Sequence, residues 1–227
     1  MAEPVAGGLI VLEGIEGVGK STQLQHLRRV LEGRGLHATL LREPGGTPAG
    51  DEIRRLLLDP ASQVNGRTEA LLFMASRAQL VADVIRPALN RGEFVLLDRF
   101  FLSTYAYQIA GRGLPEDEVR RANALATGGL VPDLTLLLDL PPDAALARAA
   151  SRSAHDRIEQ SGAEFYDRVR AAFVAFASTD WQRSHPEAGP IVLIDANGDE
   201  ATVGRRIAQA VNARWPQTAG SLAGSNP

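Results

Sequence analysis

Residues 9–27, LIVLEGIEGVGKSTQLQHL, change character twice along their length. Leu9 to Leu12 are apolar without alternation, the pattern of a strand buried on both faces in a parallel sheet. From Lys20 onward, Leu24, Leu27 and Leu31 recur at three- and four-residue spacing with Gln23, Gln25, Arg28 and Arg29 between them, which is an amphipathic helix. Between strand and helix stands Gly14-x4-Gly19-Lys20-Ser21, the full phosphate-loop pattern. Its glycines allow backbone N–H groups to converge on an anion at the positive end of the helix. Lys20 is then placed to reach the outer phosphates, and the Ser21 hydroxyl to meet Mg²⁺. A glycine-rich turn with a solvent-facing lysine would share the composition. Strand, spacing, Lys-Ser pair and helix all agree instead on a loop that holds a nucleoside triphosphate.

The alternation continues outward from this loop. His37 to Leu41 (HATLL) offers a second strand, followed by the turn-forming EPGGTP and a helical stretch from about Asp51 to Leu58. A helical pattern from Thr68 to Leu89 precedes FVLLD (Phe94 to Asp98), and two helical segments follow, separated by Gly111-Arg112-Gly113-Leu114-Pro115. LTLLLDLP (Leu134 to Pro141) and IVLID (Ile191 to Asp195) complete a set of five expected strands. Alternating strands and helices predict an α/β, three-layer fold of the P-loop NTPase type, with a five-stranded parallel sheet flanked by helices. Ligands belong at the C-terminal edge of such a sheet, where Glu13, Asp98 and Asp139 fall. Residues 149–162 (AASRSAHDRIEQSG) are polar and basic and read as a mobile surface excursion rather than core, and a linker would read similarly. The expected organisation is an N-terminal tail (1–8), one domain (9–213) and a C-terminal tail (214–227) of disordered composition.

The 227 residues suit one large domain with a single core. A net charge of −3, without a lysine-arginine run, leaves no electrostatic footprint for nucleic acid. The absence of cysteine excludes disulfides, thiolate metal sites and thiol catalysis. Neither a signal segment nor an apolar run near the ~20 residues of a membrane span is visible, so the expectation is a cytoplasmic protein without a membrane partner.

A phosphate loop serves switches, motors and kinases alike. No Asn-Lys-x-Asp guanine-reading motif is found, which weakens a switch. Asp98-Arg99 closes a buried strand, and an arginine fork matches phosphate oxygens bidentately, although a single such pair also suits a structural ion pair. Phe73 and Arg77, four residues apart, share one face of a helix. By burial preference alone, Phe73 between Leu71, Leu72 and Met74 reads as core.

EGIEGVGKST (Glu13 to Thr22), LREPGGT (Leu41 to Thr47), LLFMASRAQL (Leu71 to Leu80), DRFFLSTYAYQ (Asp98 to Gln108), PDLTLLLDLP (Pro132 to Pro141) and DRIEQ (Asp156 to Gln160) resemble, in this order, the thymidylate kinases. The resemblance spans about Leu9 to Asn212. It implies a nucleoside-monophosphate-kinase-like fold with a lid at about 149–162, transfer of the ATP γ-phosphoryl group to dTMP with Mg²⁺, and a homodimer. It places Gly14, Ile15, Glu16, Gly17, Val18, Gly19, Lys20, Ser21 and Thr22 around ATP, with Arg148 and Arg157 from the lid region. Ser21 and Asp98 are implied at the metal. Glu16, Phe73, Arg77, Arg99, Thr104, Tyr107 and Gln108 are implied around dTMP: Glu16 near the 3′-hydroxyl, Phe73 stacked on the base, Arg77 bonding it, Arg99 on the phosphate. Thr104 and Gln108 read the thymine edge and Tyr107 crowds the 2′ position. Lys20, Asp98, Arg99 and Arg152 form the implied catalytic set.

Some relatives carry an arginine inside the phosphate loop, where Gly17 stands here, so a lid arginine is expected to serve, with Arg152 first in line. Arg148 fits equally the helix before the lid, and Arg157 a pairing with Asp156 or Glu159. Pro44 is followed by Gly45-Gly46 rather than the arginine of some relatives, and that contact stays unassigned. Two other readings remain: a kinase for a different monophosphate or a nucleoside, and a regulatory module that binds ATP without transferring phosphate.

Overall fold

Five short apolar runs form the sheet: β1 (Leu9–Glu13), β2 (Ala38–Arg42), β3 (Phe94–Asp98), β4 (Leu134–Asp139) and β5 (Ile191–Asp195). All pairings are parallel, as the alternation of strands and helices demands, and the order is β2-β3-β1-β4-β5. The computed structural model describes residues 7–141, 144–145, 157–158 and 160–218. Register brings Leu12 level with Asp98 and Arg42 level with Asp98 on the other side. One edge of the sheet therefore presents Glu13, Arg42 and Asp98 side by side.

Helices cover both faces. On one, α1 (Lys20–Glu32) and α9 (Glu200–Arg214) pack Leu24, Leu27, Leu31, Val203, Ile207 and Val211 against Ile10, Leu12, Leu136 and Leu138. On the other lie α3 (Gly66–Leu80), its continuation through a π turn (Val81–Ile85) into α4 (Arg86–Asn90), α5 (Phe101–Thr104) with a second π turn (Tyr105–Gly111), and α7 (Ala163–Phe176). This face buries Val11, Leu97, Tyr105, Phe165 and Phe173 together. The remaining elements are α2 (Pro48–Leu58), α6 (Glu116–Thr127) and α8 (Thr179–Ser184).

Both α2 and α3 start where capping chemistry directs. Thr47 accepts from the Gly50 amide ahead of Pro48, and Asn65 accepts from the Thr68 amide, so α3 begins two residues before the periodic run that signals it. The π turn after Thr104 widens the helix that carries Tyr107 and Gln108. Gly111 closes that turn against α7, and a Cβ there would lie 2.5 Å from the Phe165 ring.

Two expectations change. The chain remains packed beyond Arg214: Trp215 is buried against Phe94 at 5.3 Å between ring centres, and a short turn (Pro216–Thr218) follows, its Thr218 carbonyl accepting from Arg34. Ile158, in the stretch that polarity assigns to the surface, is buried in the core, because an apolar side chain follows Arg157 into the gap beside α2 and α3. Among the described residues no helix is long and apolar enough to cross a membrane.

Candidate active site

The phosphate loop turns at glycines that nothing else can replace. Gly14 adopts φ +133°, and a Cβ there would stand 2.5 Å from the Leu138 carbonyl oxygen. Gly19 caps α1 in the left-handed region, and the first turn carries neither a side-chain cap nor an acidic residue. The positive helix end is thus left for an anion. Lys20 Nζ donates to the carbonyls of Gly14 (2.9 Å) and Ile15 (2.8 Å), folded back over its own loop. Burial and the neighbouring Arg99 lower its pKa to about 8.

Ser21 Oγ donates to Asp98 Oδ2 at 2.8 Å, so the hydroxyl at the start of α1 and the carboxylate at the end of β3 meet across the sheet edge. Among the described residues no group of three or more His, Cys, Asp or Glu side chains could hold a metal ion. A pair of hard oxygens beside a phosphate loop suits Mg²⁺, which keeps several waters and takes one or two protein oxygens plus substrate phosphates.

Arg99 holds φ +71°, the one non-glycine residue among those described with positive φ. That conformation costs about 1–2 kcal/mol in an L-residue. It aims the guanidinium back over the loop: Nη2 donates to Glu16 Oε1 (2.8 Å), Nη1 to Ser103 Oγ (2.9 Å), and the group lies 5.1 Å from the Tyr107 ring centre. Tyr107 Oη lies 2.7 and 2.8 Å from the two Glu16 oxygens. Desolvation pushes the Glu16 carboxyl up, but Arg99, Lys20 and the Tyr107 hydroxyl hold it below its ordinary value. Burial lifts the Tyr107 phenol well above its own. Glu16 is therefore an ionised, hydrogen-bonded carboxylate rather than a solvated loop residue.

A cavity of about 240 Å³ opens from this cluster. Glu16, Ser21, Asp98 and Arg99 line one end, and Phe73, Arg77, Thr104, Tyr107 and Gln108 line the rest. Phe73 is half-buried: it lines the cavity and also packs against the edge of the core, as its apolar neighbours suggest. Arg77 is 1% exposed. Its Nε and Nη2 engage Glu43 (2.8 and 2.6 Å), its Nη1 engages Thr104 (2.9 Å) and Asn123 (2.6 Å), and its Nη2 also reaches the Phe100 carbonyl (3.0 Å). Arg77 thus braces the cavity wall as well as bordering it, which its spacing from Phe73 does not announce. Burial raises the Glu43 carboxyl in spite of Arg77, and among the described residues Glu43 Oε1 has no hydrogen-bond partner.

The sequence reading missed Arg42 and Arg54, and placed Glu13 at this sheet edge without giving it a role. Arg42, at the C-terminal end of β2, and Arg54 on α2 line the cavity, and the strand-end rule that singled out Asp98 also applies to Arg42. Glu13, fully buried, takes the Phe100 amide (2.7 Å), the Ser103 amide (3.1 Å) and the Ser103 hydroxyl (2.7 Å), fixing the strained turn at Arg99. Arg148 and Arg152 lie outside the described residues. Arg157 is described: it donates to Glu69 Oε2 (2.7 Å) and the Leu57 carbonyl (2.8 Å), placing its charge beside α2 and α3. Gly17, Val18 and Thr22 complete the loop, and Val18 is buried beneath it.

A family profile described as thymidylate kinase matches residues 12–187. The thymidylate kinase of Desulforudis audaxviator is 52% identical over 178 residues, 78% of this chain and 80% of the relative. That of Deinococcus radiodurans is 47% identical over 208 residues, 92% of this chain and 98% of the relative. A crystal structure of thymidylate kinase from Ehrlichia chaffeensis superposes with a TM-score of 0.70 at 28% identity, covering 92% of this chain and all of the other.

Proposed function

Since the chain belongs to the thymidylate kinase family, we propose that it transfers the γ-phosphoryl group of ATP to dTMP, giving dTDP and ADP, in the supply of dTTP. The observation that carries this reading is the continuity of the cavity from the phosphate loop through Arg99 to Phe73, Thr104 and Gln108. One anion at the loop and a second at Arg99 would meet end to end, with a base lying along Phe73. Mg²⁺, held by Ser21 and Asp98, supplies neutralisation of phosphate charge when bound.

The protein's own part is positioning and electrostatics, as phosphoryl transfer requires. Lys20 turns from the loop carbonyls to the outer ATP phosphates. Arg99 leaves Glu16 to grip the acceptor phosphate by its fork, and Glu16 is then free to accept from the acceptor's 3′-hydroxyl, with Tyr107 crowding the 2′ position. Arg152 is proposed as the arginine on the transferring group, with Arg148 beside it.

Base selection follows from which hydrogen-bonding capacity the wall leaves unused. Thr104 Oγ1 accepts from Arg77, so its proton is left to donate. Gln108 Nε2 donates to Glu69 at 3.0 Å, so its Oε1 is left to accept. A donor beside an acceptor complements thymine O4 and N3–H, and clashes with the amino group and bare N3 of cytosine. ADP release with ATP and Mg²⁺ against dTMP, dUMP, dCMP, dGMP, dAMP and UMP tests this: dTMP should turn over fastest and dCMP at least about a hundredfold more slowly in kcat/KM. Equal turnover across the bases would sink the assignment of Thr104 and Gln108, and no dTDP would sink the function. Because Lys20 must be cationic to hold phosphates and its pKa is about 8, kcat/KM for ATP is expected to fall as pH rises through about 8, while activity at pH 7 is near its plateau. A profile flat to pH 10 would remove Lys20 from that role.

A homodimer is also proposed. α3 and α6 flank a groove that includes Leu71, Leu114, Pro115 and Val119, and Leu71 and Leu125 are 62% and 85% exposed. Apolar exposure of this kind on adjoining helices is what a second copy would cover.

A further inference from the structure

Behind the cavity wall, Glu69 on α3 is fully buried and takes four hydrogen bonds from three residues, Gln108 and Arg112 around the second π turn and Arg157 beyond it in the chain. Gln108 Nε2 reaches Oε1 at 3.0 Å. Arg112 Nε and Nη2 clasp Oε1 (3.1 Å) and Oε2 (3.0 Å), and Arg157 Nη2 reaches Oε2 at 2.7 Å. Neither arginine is loosely held: the Arg112 guanidinium lies 4.4 Å from the Phe165 ring centre, and Arg157 is tied to α2 through Nε to the Leu57 carbonyl and its amide to the Leu58 carbonyl. Glu69 plays no part in the chemistry described above, yet it touches the one side chain whose amide orientation decides what the base edge meets.

We propose that Glu69 is a positioning residue for base selectivity, fixing the Gln108 amide with its NH₂ inward and its carbonyl toward the base, with Arg112 and Arg157 holding the carboxylate in place. The proposal rests on the reading of Gln108 as a wall of the base site. Its physical core is that an ionised carboxylate only accepts hydrogen bonds, so the Gln108 group facing it can only be the NH₂. A neutral partner with an NH₂ of its own removes that constraint and lets Gln108 turn over, offering the base a donor where thymine needs an acceptor. Burial alone would push the Glu69 carboxyl up, but Arg112, Gln108 and Arg157 outweigh it and hold it below its ordinary value, in the ionised form the argument requires. Arg157 then serves the acceptor side of the enzyme: its seat on Glu69 and α2 brings Ile158 to the cavity lining and completes the wall.

The near-isosteric Glu69→Gln tests this by the ratio of kcat/KM for dTMP to that for dCMP, alone and combined with Gln108→Ala, with melting temperature as the control for folding. Glu69→Gln is expected to lower the ratio roughly tenfold to a hundredfold, the size of one misdirected buried hydrogen bond. Against Gln108→Ala it should change the ratio little, because the side chain it acts through is gone. A ratio unchanged in folded Glu69→Gln, or lowered equally in both backgrounds, overturns the proposal. If Glu69→Gln does not fold, Arg157→Gln decides: a lowered ratio with a raised KM for dTMP supports the assignment, and a raised KM for ATP with the ratio intact overturns it. The wild-type ratio stands apart as the test of the substrate reading, since absence of any preference for dTMP there refutes that reading whatever the variants do.

Discussion

Lys20→Met is expected to lower kcat/KM for ATP by about 10²–10³-fold or more while leaving the melting temperature of the nucleotide-free protein close to that of wild type. The loss has the size of removing one preorganised donor from a phosphoryl-transfer centre. The split between activity and stability follows from where Lys20 stands without nucleotide. It is 7% exposed and bonded only to two loop carbonyls, so its charge is desolvated for a task that begins when phosphates arrive. Its pKa of about 8 against an ordinary 10.5 states the same cost. Below pH 8 that cost is present in full, and it is relieved as pH climbs toward 10.5, a window in which the unfolded chain binds a proton that the native one does not. Removing the ammonium therefore removes a burden as well as two hydrogen bonds. Steady-state kinetics with a parallel thermal melt check this, and a variant that keeps wild-type turnover would exclude the phosphate-loop mechanism.

Arg77→Met carries the largest expected effect on folding, about 3–5 kcal/mol, because it strands a buried carboxylate. The Arg77 and Glu43 side chains are 2% and 3% exposed, and among the described residues Arg77 is the cation that pairs with Glu43. At roughly 2–4 °C per kcal/mol for a chain of this size, the melting temperature should drop by about 6–20 °C. Glu43→Gln in the same chain should return part of the loss, since a neutral amide can be left without its partner far more cheaply than an ion. Calorimetry of the two single variants and the double variant measures the coupling. A melt unchanged in Arg77→Met would mean that the pair is not the brace described here.

These two residues also mark how far the sequence could be read. The phosphate loop is a local device whose glycines, lysine and flanking elements are contiguous, so Lys20, Ser21 and the strand and helix around them were legible. The five strands were legible too, because strands buried on both faces write uninterrupted apolar runs. Arg77 was found as a candidate through the resemblance, with its spacing from Phe73 in support, but its bonds to Glu43, Thr104 and Asn123 link positions 34, 27 and 46 residues away, which no periodicity encodes. Glu69 was missed for the same reason: a single glutamate near a helix start reads as a favourable first-turn charge, and only the fold brings Gln108, Arg112 and Arg157 to it. Ile158 was hidden by the polarity of its neighbours.

The two tryptophans of the chain fall on opposite faces of the sheet. Trp215 packs edge-on against Phe94 among the side chains of α1 and α9, while Trp181 lies flat on His185 at 3.9 Å, beside Tyr105 and Phe176. Each layer thus carries its own optical label, and the emission of a single-tryptophan protein follows one layer without the other. Light alone can then tell whether the face that carries the acceptor cavity loosens before the face that anchors the phosphate loop.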